Sequence, residues 1–461
     1  MSEDIIERWK KALTPVRFRK SSTIDVPLHW NPFDSDYSRI VLSAPFRRLQ
    51  DKSQVFPLEP NDFVRTRLTH SMEVSAVSRS MGVRIENWLI ENEYVEHNKK
   101  GHIPSILATS ALVHDIGNPP IGHYGEKSIQ KYFTNKKHLI KDFTEVEKAD
   151  FLHFDGNAQG LRLLLRLGLS DDEFSFNLTF PTLATMIKYP KDSLTGNKSS
   201  QEREEEGKGI SFKKFGYFQA ERAKFEQINT TLALSNNRHP LCFLLEAADD
   251  ICYSVSDIED GLKKGTISVE LLLKTLYEFH HDINCMEVHS KLIEEYNKHE
   301  NDERVISLIG MKCRIKAQQL MIKSAHETFV ANHTGILDGS FDGELLQHSS
   351  SKFLLDFFKK IASENFNAKS VMKKELLGEN VITCLLNSFH QASLSDNKLD
   401  AKTKEGKLFS LIASQFKFAK DKTADYNTNS KYLDTLLATD HICGMTDTFA
   451  LSLYQELMGL G

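Results

Sequence analysis

Apolar residues recur at helical spacing in stretches of this chain that each run into an ionisable side chain, and that pattern limits the fold more than any other feature. Val74, Val77 and Met81 form a stripe that leads back by helical steps to His70. Ile103, Leu107 and Ala111 lead forward to His114, with Asp115 beside it. Leu241 and Leu245 continue at i+4 steps into Asp249, Tyr253 and Asp257. A stripe of this kind faces a core, so the ionisable residue that ends it faces the core as well. One buried His is ordinarily just a hydrogen-bonded core residue. Several such stripes are different, because a buried carboxylate costs several kcal/mol unless it is paired or bound to a metal. The helices are therefore expected to meet, with His70, His114, Asp115 and Asp249 compensating one another through a cation.

The rest of the chain reads as helical too, and alternating strand patterns are few. Helices are predicted over about 66–90, 103–116, 122–134, 155–167, 180–188, 219–234, 239–263, 267–280 and 303–330, with more beyond about 352. The fold class is all-α, with at most a small β-hairpin at 339–346, GSFDGELL. Residues 191–209, KDSLTGNKSSQEREEEGKG, are polar and nearly free of apolar side chains, which predicts an unstructured mobile loop. Its flanks, KYP at 188–190 and KKFGYF at 213–218, are aromatic and basic and read as ordered stems. The expected organisation is a core over 1–260 and a helical region over 261–461 packed on it, contributing to the site or to an oligomer interface.

A formal net charge of -5 gives no global attraction to nucleic acid, so a polyanionic ligand has to be met by a local cluster of Lys and Arg. No basic-aromatic run demands single-stranded DNA as a partner. The six cysteines are scattered with no CxxC pair, which argues against a zinc ribbon or a disulfide framework. The N-terminus MSEDIIERWKKAL has no apolar core of a signal peptide, and no run approaches the roughly 18 apolar residues of a membrane span. A cytoplasmic protein without membrane contact is expected.

The stretch LVHDIGNPPIGHYGE, 112–126, holds the greatest density of titratable groups around a helix end. A His/Asp ligand set without thiolate suits a divalent ion of the Mn, Fe, Ni, Co or Zn type, and the spacing is not the HExxH of zinc proteases. Adjacent His114 and Asp115 diverge by about 100° on an ideal helix, so both reach one ion only if it lies between their directions.

At these residues the chain resembles the HD-domain phosphohydrolases, with His70, His114-Asp115 and Asp249 as the H...HD...D pattern. The blocks SAPFRRLQDKSQVF (43–56), RTRLTHSMEV (65–74), HDIGNPPIGHYGE (114–126), HFDGNAQGLRLL (153–164), KYP, KKFGYFQ (213–219), EAADDICYSVSDIEDG (246–261) and GMTDTFA (444–450) are similar to the bacterial deoxyguanosinetriphosphate triphosphohydrolase (dGTPase) family. The resemblance is dense over 33–260 and absent from 262–425. It implies hydrolysis of dGTP to deoxyguanosine and inorganic triphosphate; the alternatives are a broader dNTP triphosphohydrolase activated by a second nucleotide, or another HD-type phosphohydrolase. It further implies His70, His114, Asp115 and Asp249 as ligands of a divalent metal (Mn, Mg, Ni, Fe, Co or Zn), and His123 with Glu126 as the catalytic pair. Gln54, Val55, Tyr253 and Asp257 are the implied deoxyribose pocket, and Lys188, Tyr189 and Lys214, joined by Arg48 and Arg67, the implied phosphate contacts. Relatives of this kind form homo-oligomers up to hexamers, and some bind single-stranded DNA.

Overall fold

The computed structural model describes residues 2–19, 31–58, 63–168, 172–300, 302–366, 369–424 and 429–460. Among these residues there is no sheet, and the one β-bridge joins Ser53 to Thr66. The helices that build and support the site are α1 (Arg67–Glu91), α2 (His102–Val113), α3 (Gly122–Asn135), α4 (Gly156–Arg162), α5 (Phe180–Met186) and α6 (Cys242–Lys264). Behind them lie α7 (Val305–Ala331), α8 (Lys352–Phe366), α9 (Lys369–Leu394), α10 (Ser430–Cys443) and α11 (Asp447–Met458).

Local chemistry sets where these helices start and stop. Thr66 opens α1 through a capping box with Thr69, and Gly265, at φ +72°, ends α6 in the left-handed conformation that L side chains resist. α1 and α2 form a close pair: a Cβ on Gly82 would lie 3.1 Å from Pro104 Cα, tighter than side chains ordinarily pack, so glycine lets the two backbones approach. Ser75 Oγ donates to the Ala108 carbonyl across the same contact at 2.8 Å. α6 packs on α1 and also on α7 and α8.

The apolar interior divides into two clusters. One gathers Val74, Met81, Ile103, Leu107, Ala111, Leu241 and Leu245 from α1, α2 and α6, together with apolar residues of α7 and α8. The other joins Leu112, Ile116, Ile129 and Phe133 to apolar residues of α9 and α10, such as Leu385, Phe389, Leu433 and Leu436. The region beyond residue 261 thus contributes to both. All six cysteines are free thiols.

The predicted stripes do point inward, although Val77 is only half-buried and Ser78 takes the deeper position on α1. Several expectations change. Residues 191–209 are not unstructured: Ser199 and Glu202 form a capping box that starts a short helix, Ser200–Glu205. The segment is also tied down, because Lys198 N–H donates to the Phe212 carbonyl and Ile210 N–H to that of Asp342. No hairpin forms at 339–346. Instead Asp342 accepts from Ser211 Oγ at 2.6 Å and pairs with Arg238 at 2.9 Å, anchoring the polar segment. α2 ends at Val113 rather than near 116, which frees the direction of Asp115.

Candidate active site

His70 and His114 are brought together by α1 and α2, with ring centroids 5.4 Å apart. α6 adds Asp249, whose Oδ1 lies 3.0 Å from His70 Nε2 and 3.3 Å from His114 Nε2. These three side chains offer ligand atoms all within 4.8 Å of one another. Asp115 follows closely, with Oδ2 3.6 Å from His114 Nε2. Because α2 has already ended, His114 is a cap residue and Asp115 stands in a turn, so the divergence of an ideal helix does not separate them.

The donor chemistry fits a divalent cation. The Ala111 carbonyl, which can only accept, takes the His114 Nδ1–H at 2.7 Å. The His114 Nε2 lone pair is then left toward the carboxylates, buried and without a hydrogen-bond partner. This backbone orientation of an imidazole is the arrangement that metal-ligating histidines use. His70 Nδ1 is buried and unpartnered as well.

Two cations hold the carboxylates. Burial opposes the charge on Asp249, but Lys188, 2.8 Å away, drives its pKa well below the carboxylate range. Burial likewise opposes the charge on Asp115, and Arg67 overcomes it. Arg67 is fully buried and donates to Asp115 Oδ2, while Asn118 Nδ2 donates to Oδ1 at 2.7 Å. Desolvation would lower the pKa of Lys188, yet Asp249 and Glu246 lift it well above normal. The neighbouring Asp250 is apart from this group; burial and Glu344 raise its pKa to about 7.

The corner Gly117–Ile121 carries the chain from α2 to α3. Gly117 packs directly on α4, where a Cβ would lie 2.0 Å from Gly160 N. On the first turn of α3, His123 Nδ1 donates to Glu126 Oε2 at 3.1 Å. Glu126 is buried and its other oxygen accepts the Gly156 N–H at 2.8 Å, whereas the His123 side chain is 73% exposed. Burial works against ionised Glu126, but the hydrogen bond from His123 and the charge of Lys214 hold its carboxyl below the usual range. Lys214 is 4.0 Å from Glu126 and pairs more closely with Asp155.

Val55 packs with Phe56, Val64 and Tyr253 in a small apolar cluster of its own. Tyr253 hydrogen-bonds Asp257, and burial keeps the Asp257 carboxyl well above its ordinary pKa. Gln54 Oε1 and Asp257 Oδ2 are both buried with no partner. Tyr189 lies in the field of Lys188, Lys214, Glu246 and Asp155; burial first, then Glu246, raises its phenol pKa. Arg48 is the outlier of the expected phosphate contacts: it is half-buried beside Arg47, and its pKa is lowered by desolvation and by that neighbour.

Sequence reasoning passed over Asn118, Asp155, Gly156 and Glu246, which orient or neutralise the predicted residues. All four stand inside blocks already singled out, GNPP, HFDGNAQG and EAADDICYSVSDIEDG, so the signal was present but carried no local chemistry.

A helical core that gathers His, His-Asp and Asp onto one buried point defines a hydrolase of the HD type. The HD domain family matches residues 67–160, which run from α1 into α4 and include three of the four residues expected to bind metal. The chain is 38% identical to a deoxyguanosinetriphosphate triphosphohydrolase-like protein of Listeria innocua, over 98% of this chain and all of that one. A protein of the same name from Synechocystis is 34% identical over 98% and 99% of the two chains. The deoxyguanosinetriphosphate triphosphohydrolase of Salmonella typhimurium is 31% identical over 93% and 94%. The chain belongs to the deoxyguanosinetriphosphate triphosphohydrolase-like family. No helix among the described residues is long and apolar enough to cross a membrane.

Proposed function

We propose that this protein hydrolyses dGTP to deoxyguanosine and inorganic triphosphate, with a divalent metal held by His70, His114, Asp115 and Asp249. The observation that carries the proposal is the buried His114 Nε2, oriented by a backbone carbonyl and left without a partner between two ionised carboxylates. A bound divalent ion (Mn, Mg, Ni, Fe, Co or Zn) would supply Lewis-acid polarisation of a phosphoryl oxygen.

Charge counting supports a polyanionic substrate. Asp115 and Asp249 are now offset by Arg67 and Lys188. A divalent ion on the same carboxylates leaves the cluster with about two positive charges in excess, ready to face the roughly four negative charges of a nucleoside triphosphate. Lys188 and Arg67, released from the carboxylates, then join Tyr189 and Lys214 on the phosphates, with Arg48 further out. The unpartnered Gln54 Oε1 and Asp257 Oδ2 suit a sugar hydroxyl, and Tyr253 against Val55 closes the space a ribose 2′-hydroxyl needs. His123, exposed and oriented by Glu126, transfers the proton at the attacking water or at the departing 5′ oxygen. Residues 1–260 form the hydrolase core in this reading; 261–461 buttress it and form the contacts of a cytoplasmic homo-oligomer, as large as a hexamer.

The test is product analysis on metal-stripped and metal-reloaded protein given each of the four dNTPs and GTP. Inorganic triphosphate and deoxyguanosine, chiefly from dGTP and only with metal, support the proposal. Equal rates on all four dNTPs would replace it with a broad dNTP triphosphohydrolase. Pyrophosphate with nucleoside monophosphate would sink it.

A further inference from the structure

The C-terminal block 444–450 returns to the site from across the chain, and its Asp447 ties two segments of the site to each other. Asp447 opens α11, is buried, and uses both carboxylate oxygens. Oδ1 accepts the Ile121 N–H at 2.8 Å, across 326 residues of sequence. Oδ2 accepts the Ser53 N–H at 3.0 Å and the Ser53 hydroxyl at 2.6 Å. Ser53 immediately precedes Gln54. Ile121 immediately precedes α3, which carries His123 in its first turn.

The corner at Ile121 needs such a hold. Ile121 sits at φ +62°, a left-handed conformation that a β-branched residue adopts only when its surroundings impose it. Its side chain is seated on α9, where a Cβ on Gly378 would lie 2.4 Å from Ile121 Cδ1. Lys52 makes a parallel tie: its buried ammonium donates to the Asn118 carbonyl at 2.6 Å and to the Cys443 carbonyl, at the end of α10, at 2.7 Å. The same Lys52–Ser53 pair is fixed to the start of α1, because Arg67 N–H donates to the Lys52 carbonyl at 2.9 Å and Ser53 bridges Thr66.

We propose that Asp447 is a positioning residue: its one carboxylate locks the loop presenting Gln54 to the corner presenting His123, so that the sugar grip and the proton-transferring imidazole keep a fixed relation. The roles of Gln54 and His123 in this statement rest on the function proposed above. Aspartate is required because both oxygens accept. Asparagine has a single acceptor oxygen and turns an amide N–H toward either Ser53 or Ile121.

The test compares wild type, Asp447→Asn and Ser53→Ala as full-length, metal-loaded proteins. In Asp447→Asn, amide exchange should quicken about tenfold or more in segments 50–56 and 117–124 together, as expected for loss of hydrogen bonds to a charged acceptor. Segments holding His70, His114 and Asp249 should be unchanged, and bound metal should stay at the wild-type level. kcat should fall about 10- to 100-fold, the scale of a displacement near 1 Å. Ser53→Ala removes one donor of the three and should lower kcat about three- to tenfold with metal retained, which keeps the test alive if Asp447→Asn does not fold. Unchanged kcat in either folded variant, a loss explained by lost metal, or quickened exchange in only one segment overturns the proposal. If wild type itself releases no triphosphate, the functional reading falls, and the exchange pattern alone decides the role of Asp447.

Discussion

The His70/His114/Asp115/Asp249 cluster and the joint between α4 and α10 are both buried and both rich in carboxylates, but they neutralise charge in different ways. At the joint, Arg162 grips both oxygens of Asp440, Nε to Oδ1 at 2.8 Å and Nη2 to Oδ2 at 2.8 Å, and its Nη1 holds Glu221 at 2.7 Å. Arg166 reinforces Glu221 at 3.0 Å, and every one of these side chains is buried. A bidentate guanidinium of this kind cannot be replaced without leaving two bare acids. At the His/Asp cluster, Asp249 is held by the single ammonium of Lys188, and an imidazole lone pair is left over. Displaceable neutralisation, rather than burial or charge density, is what separates a site from a structural clamp.

The contrast has a further side in protonation. Asp249 and Asp115 are kept ionised by their cations. Asp150, beside the joint, is fully buried and accepts from Tyr432 Oη at 2.6 Å and Gln219 N–H at 2.8 Å. With no cation in contact among the described residues, burial raises its pKa to about 7, against the pull of those hydrogen bonds.

The largest effect that can break this comparison is His114→Ala. Turnover should fall by at least about 10³-fold, more than the 10- to 100-fold typical of outer-shell changes, with metal lost and folding retained. Metal analysis and thermal unfolding on the same sample check it; a variant that unfolds instead would make the cluster a clamp after all. His123→Ala sharpens the boundary of the cluster: kcat should fall about 10²- to 10⁴-fold with the wild-type metal content, and loss of metal there would make His123 a ligand. Arg162→Met should do the reverse. It leaves Asp440 and Glu221 without their shared cation and should cost about 3–5 kcal/mol in denaturant unfolding, while the folded fraction binds metal normally.

The most gradual expected effect, spread over about three pH units, is in pH dependence. Asp150 has a raised pKa, so between about pH 4 and 7 the folded state keeps a proton that the unfolded state gives up. Stability should therefore fall as pH rises through that window, by up to about 1.4 kcal/mol per unit, and the loss is complete above pH 7. Asp150→Asn should flatten this slope, and an unaltered slope would assign it to another group.

What was legible in the sequence follows from how local each feature is. His70, His114 and Asp249 each continue an apolar stripe on one helix, so periodicity alone pointed them at a common core. Asp115 needed the structure, because its direction depends on α2 stopping at Val113. The helix Ser200–Glu205 was hidden by polar composition, although the Ser199/Glu202 cap was written in the sequence. Arg162 and Asp440 are 278 residues apart, and nothing local in either segment marks the pairing. The same holds for Asp447, whose partners at Ser53 and Ile121 emerge only when both ends of the chain are folded together.

Hydrolysis of dGTP in ¹⁸O-labelled water, with the metal-loaded protein and mass analysis of both products, tests the central claim most directly. Attack of water on the α-phosphorus with departure of the 5′ oxygen predicts one ¹⁸O atom in the inorganic triphosphate and none in the deoxyguanosine. Label in the nucleoside, or in a nucleoside monophosphate released with pyrophosphate, would contradict it.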